Sequence, residues 1–383
     1  MDTAARTSTG YFVLADISGF TGYLAGVELD HANGVLRDLL ELMVAHLVPP
    51  LRLASIERDA VFAYLPATRL GRGETLLELI ETTYRWFQAQ QASIARRTTC
   101  GCKACQQIPG LDLNFVVHRG EYRLLHVAGR TEPLGQAADL VRSRALKPPR
   151  EQAAPGYALF TAASVADPAL LGVSAERVAA GSLNRAGSAA LETYRLDLHA
   201  RYQAAQAGRQ AMVTVEAADG MVSREVAAAP AVVWDWLNDP ERRSRWTAGR
   251  TWHAGDRPAG RTGPGARNHC DHGLGAAIET VLDWQPFEHF TVELVQRGGG
   301  PVVHETFVLE PLSDGARTRV RCLIQFQSPL PRWLGRTLGR LGAGPMLKAD
   351  LQRLARLIAA ETAAEMAEMD NEAVIGQGRP AGD

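Results

Sequence analysis

Two aspartates and three cysteines are the residues of this chain whose types and spacing suit chemistry. Asp16 ends a short apolar run, YFVLA (11–15), and Asp59 lies in the Arg58-Asp59 turn between LRLASIE (51–57) and AVFAYLP (60–66). A strand that ends on one carboxylate, beside a hairpin whose tip carries another, brings two like charges toward one point. A Mg²⁺ or Mn²⁺ ion relieves that repulsion, and ions so held can bind a triphosphate and activate a hydroxyl. The plainer alternative makes Asp16 a loop cap and Asp59 a turn residue. Cys100, Cys102 and Cys105 crowd into TTCGCKACQQIPG (98–110). Three thiols so close can ligate Zn²⁺ or an iron–sulfur cluster if a fourth ligand such as His118 or His126 joins them. The alternative is a loop of reduced thiols.

Elements must position these groups. After the first strand, Val35, Leu36, Leu39, Leu40, Met43 and Leu47 recur at helical spacing until Pro49-Pro50. Two strands follow around Arg58-Asp59, then a strongly helical stretch, 74–97. LDLNFVVH (111–118) and YRLLHVA (122–128) read as a second hairpin turning at Arg119-Gly120, and a shorter helix is expected near 135–146. This order predicts a ferredoxin-like core, with helices covering one face of an antiparallel sheet.

The motifs of this half are similar to those of class III nucleotidyl cyclases. ADISGFT (15–21) resembles the signature that opens their catalytic domain, and SIERDAVFAYL (55–65) resembles their second metal-site hairpin. FVVHRGEY (115–122) resembles their Gly-Glu strand-turn-strand. EPLGQAADLVRSR (132–144) resembles the segment carrying the base-reading acid and the transition-state Asn and Arg. The resemblance implies Asp16 and Asp59 as ligands of Mg or Mn, Glu132 as base reader, and Arg142 or Arg144 as the catalytic arginine. It also implies ATP or GTP as substrate and a head-to-tail homodimer through the N-terminal domain. Three positions depart from the pattern: Ser55 replaces the base-recognising Lys, Arg58 replaces a Gly, and Asp139 or Leu140 occupies the Asn position. An active cyclase needs its arginine to stabilise charge on the phosphate, so these departures point to weak or lost catalysis.

The second half is built differently. HARYQAAQAGRQA (199–211) is polar and Ala/Gln-rich and reads as a linker. Strand, helix, several short strands and a long helix follow, the last over 331–366, with Asp314-Gly315 as a hairpin turn. VSREVAAAPAVVWDWLNDPERRSRW (222–246) resembles the START-like helix-grip superfamily of SRPBCC proteins, which includes polyketide cyclase-like and lipid-transfer members. That resemblance implies a deep apolar cavity between a curved sheet and a long helix. Six of the chain's seven tryptophans lie in this half. Trp234, Trp246, Trp252, Trp284 and Trp333 are the expected walls for an apolar small molecule or lipid. Residues 332–356 carry Arg332, Arg336, Arg340, Lys348, Arg353 and Arg356 against Asp350 alone. A basic amphipathic piece suits an anionic membrane or an acidic ligand. The GAGP break leaves it short, and the reading taken is a solvated outer face of the gripping helix.

Composition sets outer limits. The chain has 383 residues, 46% of them hydrophobic and 22% charged, which fits a globular protein of two domains. Forty-one Lys and Arg balance 42 Asp and Glu, a net charge of −1 that offers no general nucleic-acid surface. No signal-like or bilayer-spanning run is visible, and the five Cys lack a dispersed paired pattern, so the expected location is cytoplasmic. The expected fold class is α+β, a ferredoxin-like cyclase-type domain followed by a helix-grip α+β domain. The expected boundaries are 1–200 for the cyclase-like domain, 201–211 for the linker, 212–362 for the START-like domain and 363–383 for a flexible tail. The expected function is a sensor or carrier whose second domain binds an apolar ligand. The alternative is an active, ligand-regulated nucleotidyl cyclase.

Overall fold

The computed structural model describes residues 7–24, 29–70, 73–97, 107–127, 129–143, 156–165, 168–171, 176–179, 191–206, 211–272, 275–312, 315–327 and 332–377. Cys100, Cys102, Cys105 and Arg144 lie outside the described residues. The chain divides into two compact units, one made mainly of residues 1–207 and the other mainly of 208–370.

The first unit opens with β1 (Ser8–Ser18), whose near-continuous apolar sequence matches burial on both faces. Next come α1 (Phe20–Leu24), α2 (Leu29–Leu47), β2 (Arg52–Glu57), β3 (Ala60–Pro66) and α3 (Glu74–Arg97). They are followed by β4 (Asp112–Val127), β5 (Arg130–Leu134), α4 (Gln136–Arg142), β6 (Tyr157–Thr161), β7 (Glu176–Ala179), β8 (Glu192–Asp197) and α5 (Leu198–Gln206). The sheet order is β2-β3-β1-β4-β6-β8-β7, with β5 paired to β4. The first four strands are antiparallel neighbours in the order 2-3-1-4, which is the ferredoxin-like arrangement. Side chains alternate across a strand. Phe12 and Leu14 therefore share one face with Phe62, Tyr64, Val116 and the α4 residues Ala138 and Val141. Val13 and Ala15 point the other way, where α2 and α3 bury Leu39, Met43, Ile80, Tyr84 and Phe87.

Two expectations fail here for packing reasons. Arg119-Gly120 is not a turn, because β4 runs unbroken through it, with Gly10 facing Gly120 and Tyr11 facing Arg119. Gly120 is needed for space: a Cβ there would lie 2.5 Å from the Ala137 Cβ. The chain reverses after Val127 instead, where Gly129 has φ 74. Much of the expected linker is α5, since Ala and Gln favour helix even without an apolar face.

The second unit begins with β9 (Gly220–Val226), α6 (Pro230–Asn238) and α7 (Pro240–Trp246). Asp239 caps α7 by accepting the Arg242 N–H, and Pro240 supplies the first turn. There follow β10 (Arg250–Ala254), β11 (Arg267–His272), β12 (Gly275–Gln285), β13 (His289–Gln296), β14 (Val302–Leu312) and β15 (Arg317–Gln327). Next are α8 (Arg332–Leu338), a π-helical turn (Gly339–Ala343) and α9 (Gly344–Gln377). The strands form one antiparallel sheet in the order β10-β11-β12-β13-β14-β15-β9. Leu347, Leu351, Leu354 and Ile358, at helical spacing on α9, bury against this sheet, the helix-grip arrangement. The helix continues to Gln377, well past residue 366, so the segment after 363 is helical rather than a tail. Among the described residues no helix is long and apolar enough to cross a membrane.

Candidate functional site

In the first unit, β1 lies between β3 and β4 so that Asp16 faces Ala60 on one side and Asn114 on the other. The Ile17 N–H donates to the Asp59 carbonyl at 2.9 Å, so the hairpin tip meets the strand end. Asp16 and Asp59 are 4% and 9% exposed. Asn114 Oδ1 accepts the N–H groups of Gly156 and Tyr157 at 3.0 and 3.2 Å, which fixes the start of β6 beside Asp16. The Tyr157 phenol is pushed up to about 12, mainly by burial and then by the Asp16 charge, with Arg195 opposing.

Two carboxylates alone form a sparse metal set, and no group of three His, Cys, Asp or Glu gathers among the described residues. Their chemistry nevertheless fits the implied ion. Magnesium is commonly held by one or two carboxylates, with water and phosphate oxygens completing its shell.

A second cluster joins residues that the sequence motifs single out separately. The Arg142 guanidinium lies over the Phe62 ring, 5.0 Å from its centre. It stands 3.8 Å from Glu57 Oε1 and 3.6 Å from Glu132 Oε2. The Ser55 hydroxyl donates to Glu57 Oε1 at 3.0 Å. Ser55, Glu57, Arg142 and Glu132 thus form one chain of contacts, in which Glu57, a residue the motif reading passed over, links Ser55 to Arg142. Asn114 and Tyr157 were missed as well. Glu57 carried a signal, being a charged residue at a strand end next to the Arg58-Asp59 turn.

The side of the second sheet that α9 covers is apolar with a charged row. Arg243 on α7 donates from Nη1 to Glu279 Oε1 at 2.8 Å, while its Nη2 lies 2.7 Å from Oε2. Asn268 Nδ2 donates to the same Oε1 at 2.7 Å, and the guanidinium sits 3.7 Å from the centre of the Trp252 ring. Asp350 on α9 pairs with Arg250 and accepts the Ala248 N–H at 3.2 Å. These two acids are matched. The Glu305 carboxyl has no hydrogen bond among the described residues. Its register neighbours are Val292 and Ile324, both buried in the apolar cluster. The residue is half-buried, and burial, together with the Glu279 and Asp350 charges, pushes its carboxyl up to about 7 against the pull of Arg243 and Arg250. Next to it the Cys322 thiol is pushed well above its ordinary value by burial and by Glu305.

The tryptophans divide between core and surface. Trp234 and Trp246 have almost no accessible surface, and Trp234 packs edge-on to Trp284 and Phe290 at 4.7 and 5.3 Å. They are filled core and not cavity wall. Trp252 is buried under Arg243, and Trp284 is half-buried at the edge of the cluster. Trp333 is 68% exposed and lines nothing inside. It was expected inside because it is an indole in an apolar stretch; α8 turns it outward.

Two families match the chain, one in each half. Residues 217–359 match the family described as polyketide cyclase / dehydrase and lipid transport, and residues 36–148 match the family described as protein of unknown function (DUF2652). No curated protein matches the chain. Among solved structures, DynU16, described as a putative protein in the dynemicin biosynthetic locus, is 20% identical. The match covers 37% of this chain and 46% of that one, under half its length, with a TM-score of 0.29. The adenylyl cyclase CyaB from P. aeruginosa is 13% identical over 50% of this chain and 94% of its own, with a TM-score of 0.37. The guanylyl cyclase Cya2 is 12% identical over 50% of this chain and 92% of its own, with a TM-score of 0.35. The C-terminal half thus matches a ligand-handling family, and cyclases are among the structures similar to the N-terminal half.

Proposed function

We propose that the chain is a cytoplasmic two-domain sensor or carrier, in which the helix-grip domain binds an apolar small molecule or lipid bearing one polar group. Glu305 carries this reading. A desolvated carboxyl on the helix-covered side of the sheet, among apolar neighbours and without a hydrogen bond among the described residues, is costly unless something polar meets it. The apolar neighbours would hold the body of the ligand and Glu305 its polar end, the usual division of labour in such sites. Tryptophan fluorescence of the full chain, titrated with a panel of long-chain alcohols, fatty acids and flat aromatic polyketide-like molecules, tests it. At least one member should give a saturable change. A linear or absent response across the panel removes the reading.

In the N-terminal domain, Asp16 and Asp59 would hold Mg²⁺ or Mn²⁺, which supplies charge to bind phosphates and acidify a hydroxyl. Glu132 and Ser55 would face a nucleotide base. The departures at Ser55, Arg58 and Asp139 or Leu140 favour weak or no catalysis, and the Glu57 and Glu132 carboxylates near Arg142 offset part of the charge it would bring to a phosphate. Exposed Leu53 and Ile56 on β2, with Leu125, Val127 and Leu134 on the β4–β5 hairpin, favour a homodimer through this domain. A cyclic nucleotide formed from ATP or GTP with Mn²⁺ would establish the alternative, a ligand-regulated cyclase.

A further inference from the structure

The stretch from α8 through the π-helical turn presents large apolar side chains to solvent. Trp333 is 68% exposed, Leu338 42%, Leu341 78% and Met346 47%. The way this stretch is anchored explains why. Gly335 and Gly339 are both buried, and a Cβ on them would lie 2.9 Å from Asp219 Oδ1 and 2.7 Å from the Asp219 carbonyl oxygen. The helix therefore sits on the start of β9 through bare backbone. Residues four apart share a helix face, and residues two apart lie on nearly opposite sides. Trp333, Thr337 and Leu341 consequently point away from the glycine face, and Thr337 is exposed like the other two. These large side chains do not serve the core of their own domain.

Charge selects what they meet. No Asp or Glu occurs between residues 315 and 349, while Arg332, Arg336, Arg340 and Lys348 do. Arg336 and Lys348 are exposed, and the first acid reached, Asp350, is buried against Arg250. A Trp and two Leu, with exposed Arg336 and Lys348 and no acid in the same stretch of sequence, complement a surface that is anionic outside and apolar just beneath. That is the boundary of a bilayer carrying acidic lipids. We propose that residues 332–348 are a docking surface for anionic membranes, with Trp333 and Leu341 entering the acyl boundary and Arg336 and Lys348 meeting the headgroups. The proposal is independent of which ligand the domain holds.

The test is co-sedimentation of the full chain with vesicles of phosphatidylcholine alone or with one third phosphatidylglycerol. Binding is expected on the mixed vesicles only and should weaken as salt is raised. Trp333→Ala with Leu341→Ala should reduce partitioning by about a hundredfold, roughly tenfold for each apolar side chain removed. Arg336→Glu with Lys348→Glu should abolish the preference for acidic lipid. All four side chains are exposed, so unchanged far-ultraviolet circular dichroism and melting are expected of both variants. Absent binding, equal binding to neutral vesicles, or full binding by the Trp333/Leu341 variant would overturn the proposal. Concentration-dependent self-association in lipid-free solution that Trp333→Ala abolishes would overturn it too, by making the patch a contact between copies of the chain.

Discussion

Glu305 holds its proton to about pH 7, well above an ordinary 4.5. The unfolded chain gives that proton up earlier, so between those values the folded state binds more protons and stability falls as pH rises. For a fully desolvated group the loss amounts to roughly 3 kcal/mol. His46 acts at the other end. Burial, then the Arg85 charge, lowers it to about 4, so it costs stability as pH drops from 6.5 toward that value. The informative quantity is therefore a difference in melting temperature between wild type and Glu305→Gln. The variant should gain on wild type from about pH 5 to about pH 8. A difference that stays flat with pH would show that the Glu305 carboxyl is not desolvated. A ligand that donates a hydrogen bond to Glu305 should shrink the same slope.

The elements show what local pattern conveys and what it hides. β1, the β2–β3 hairpin at Arg58-Asp59 and helix α3 were legible, because alternation, turn residues and helical periodicity all agree there. Gly120 misled because glycine is the same letter whether it permits a turn or makes room, and only the tertiary neighbour Ala137 tells them apart. Residues 198–206 misled because a helix without an apolar stripe looks like a connector. The strand end that carries Asp16 and the hairpin tip that carries Asp59 were legible, while the link from Ser55 through Glu57 to Arg142 depends on strand register and was not. Gly120 gives a direct test. Gly120→Ala should destabilise the protein by about 1–3 kcal/mol through overpacking against Ala137. Adding Ala137→Gly should restore most of that loss, beyond the cost Ala137→Gly shows alone. Strict additivity in that double-mutant cycle would mean the two residues do not meet.

At the scale of the whole molecule, two compact units with separate cores should unfold in two steps. Scanning calorimetry of the full chain is expected to resolve them. An apolar ligand should move one transition and Mn²⁺ the other, each through preferential binding to a native unit. Asp59→Ala should cancel the Mn²⁺ shift alone, and a shift that survives in that variant would place the ion elsewhere. The sheet of the second unit has a further property in its strand order. Its first strand, β9, pairs with its last, β15, so that Gly220 faces Ile324 and Val226 faces Thr318, while every other pairing joins sequential strands. On a ribosome, β10 to β14 can zip up as they emerge, but β9 waits with its backbone groups unsatisfied until nearly the whole unit has been made. Such non-local closure slows folding and leaves a sticky edge exposed meanwhile. Truncation within β15 or beyond should therefore matter less for what it deletes than for the orphaned strand it strands at the other end of the chain, a natural substrate for chaperones.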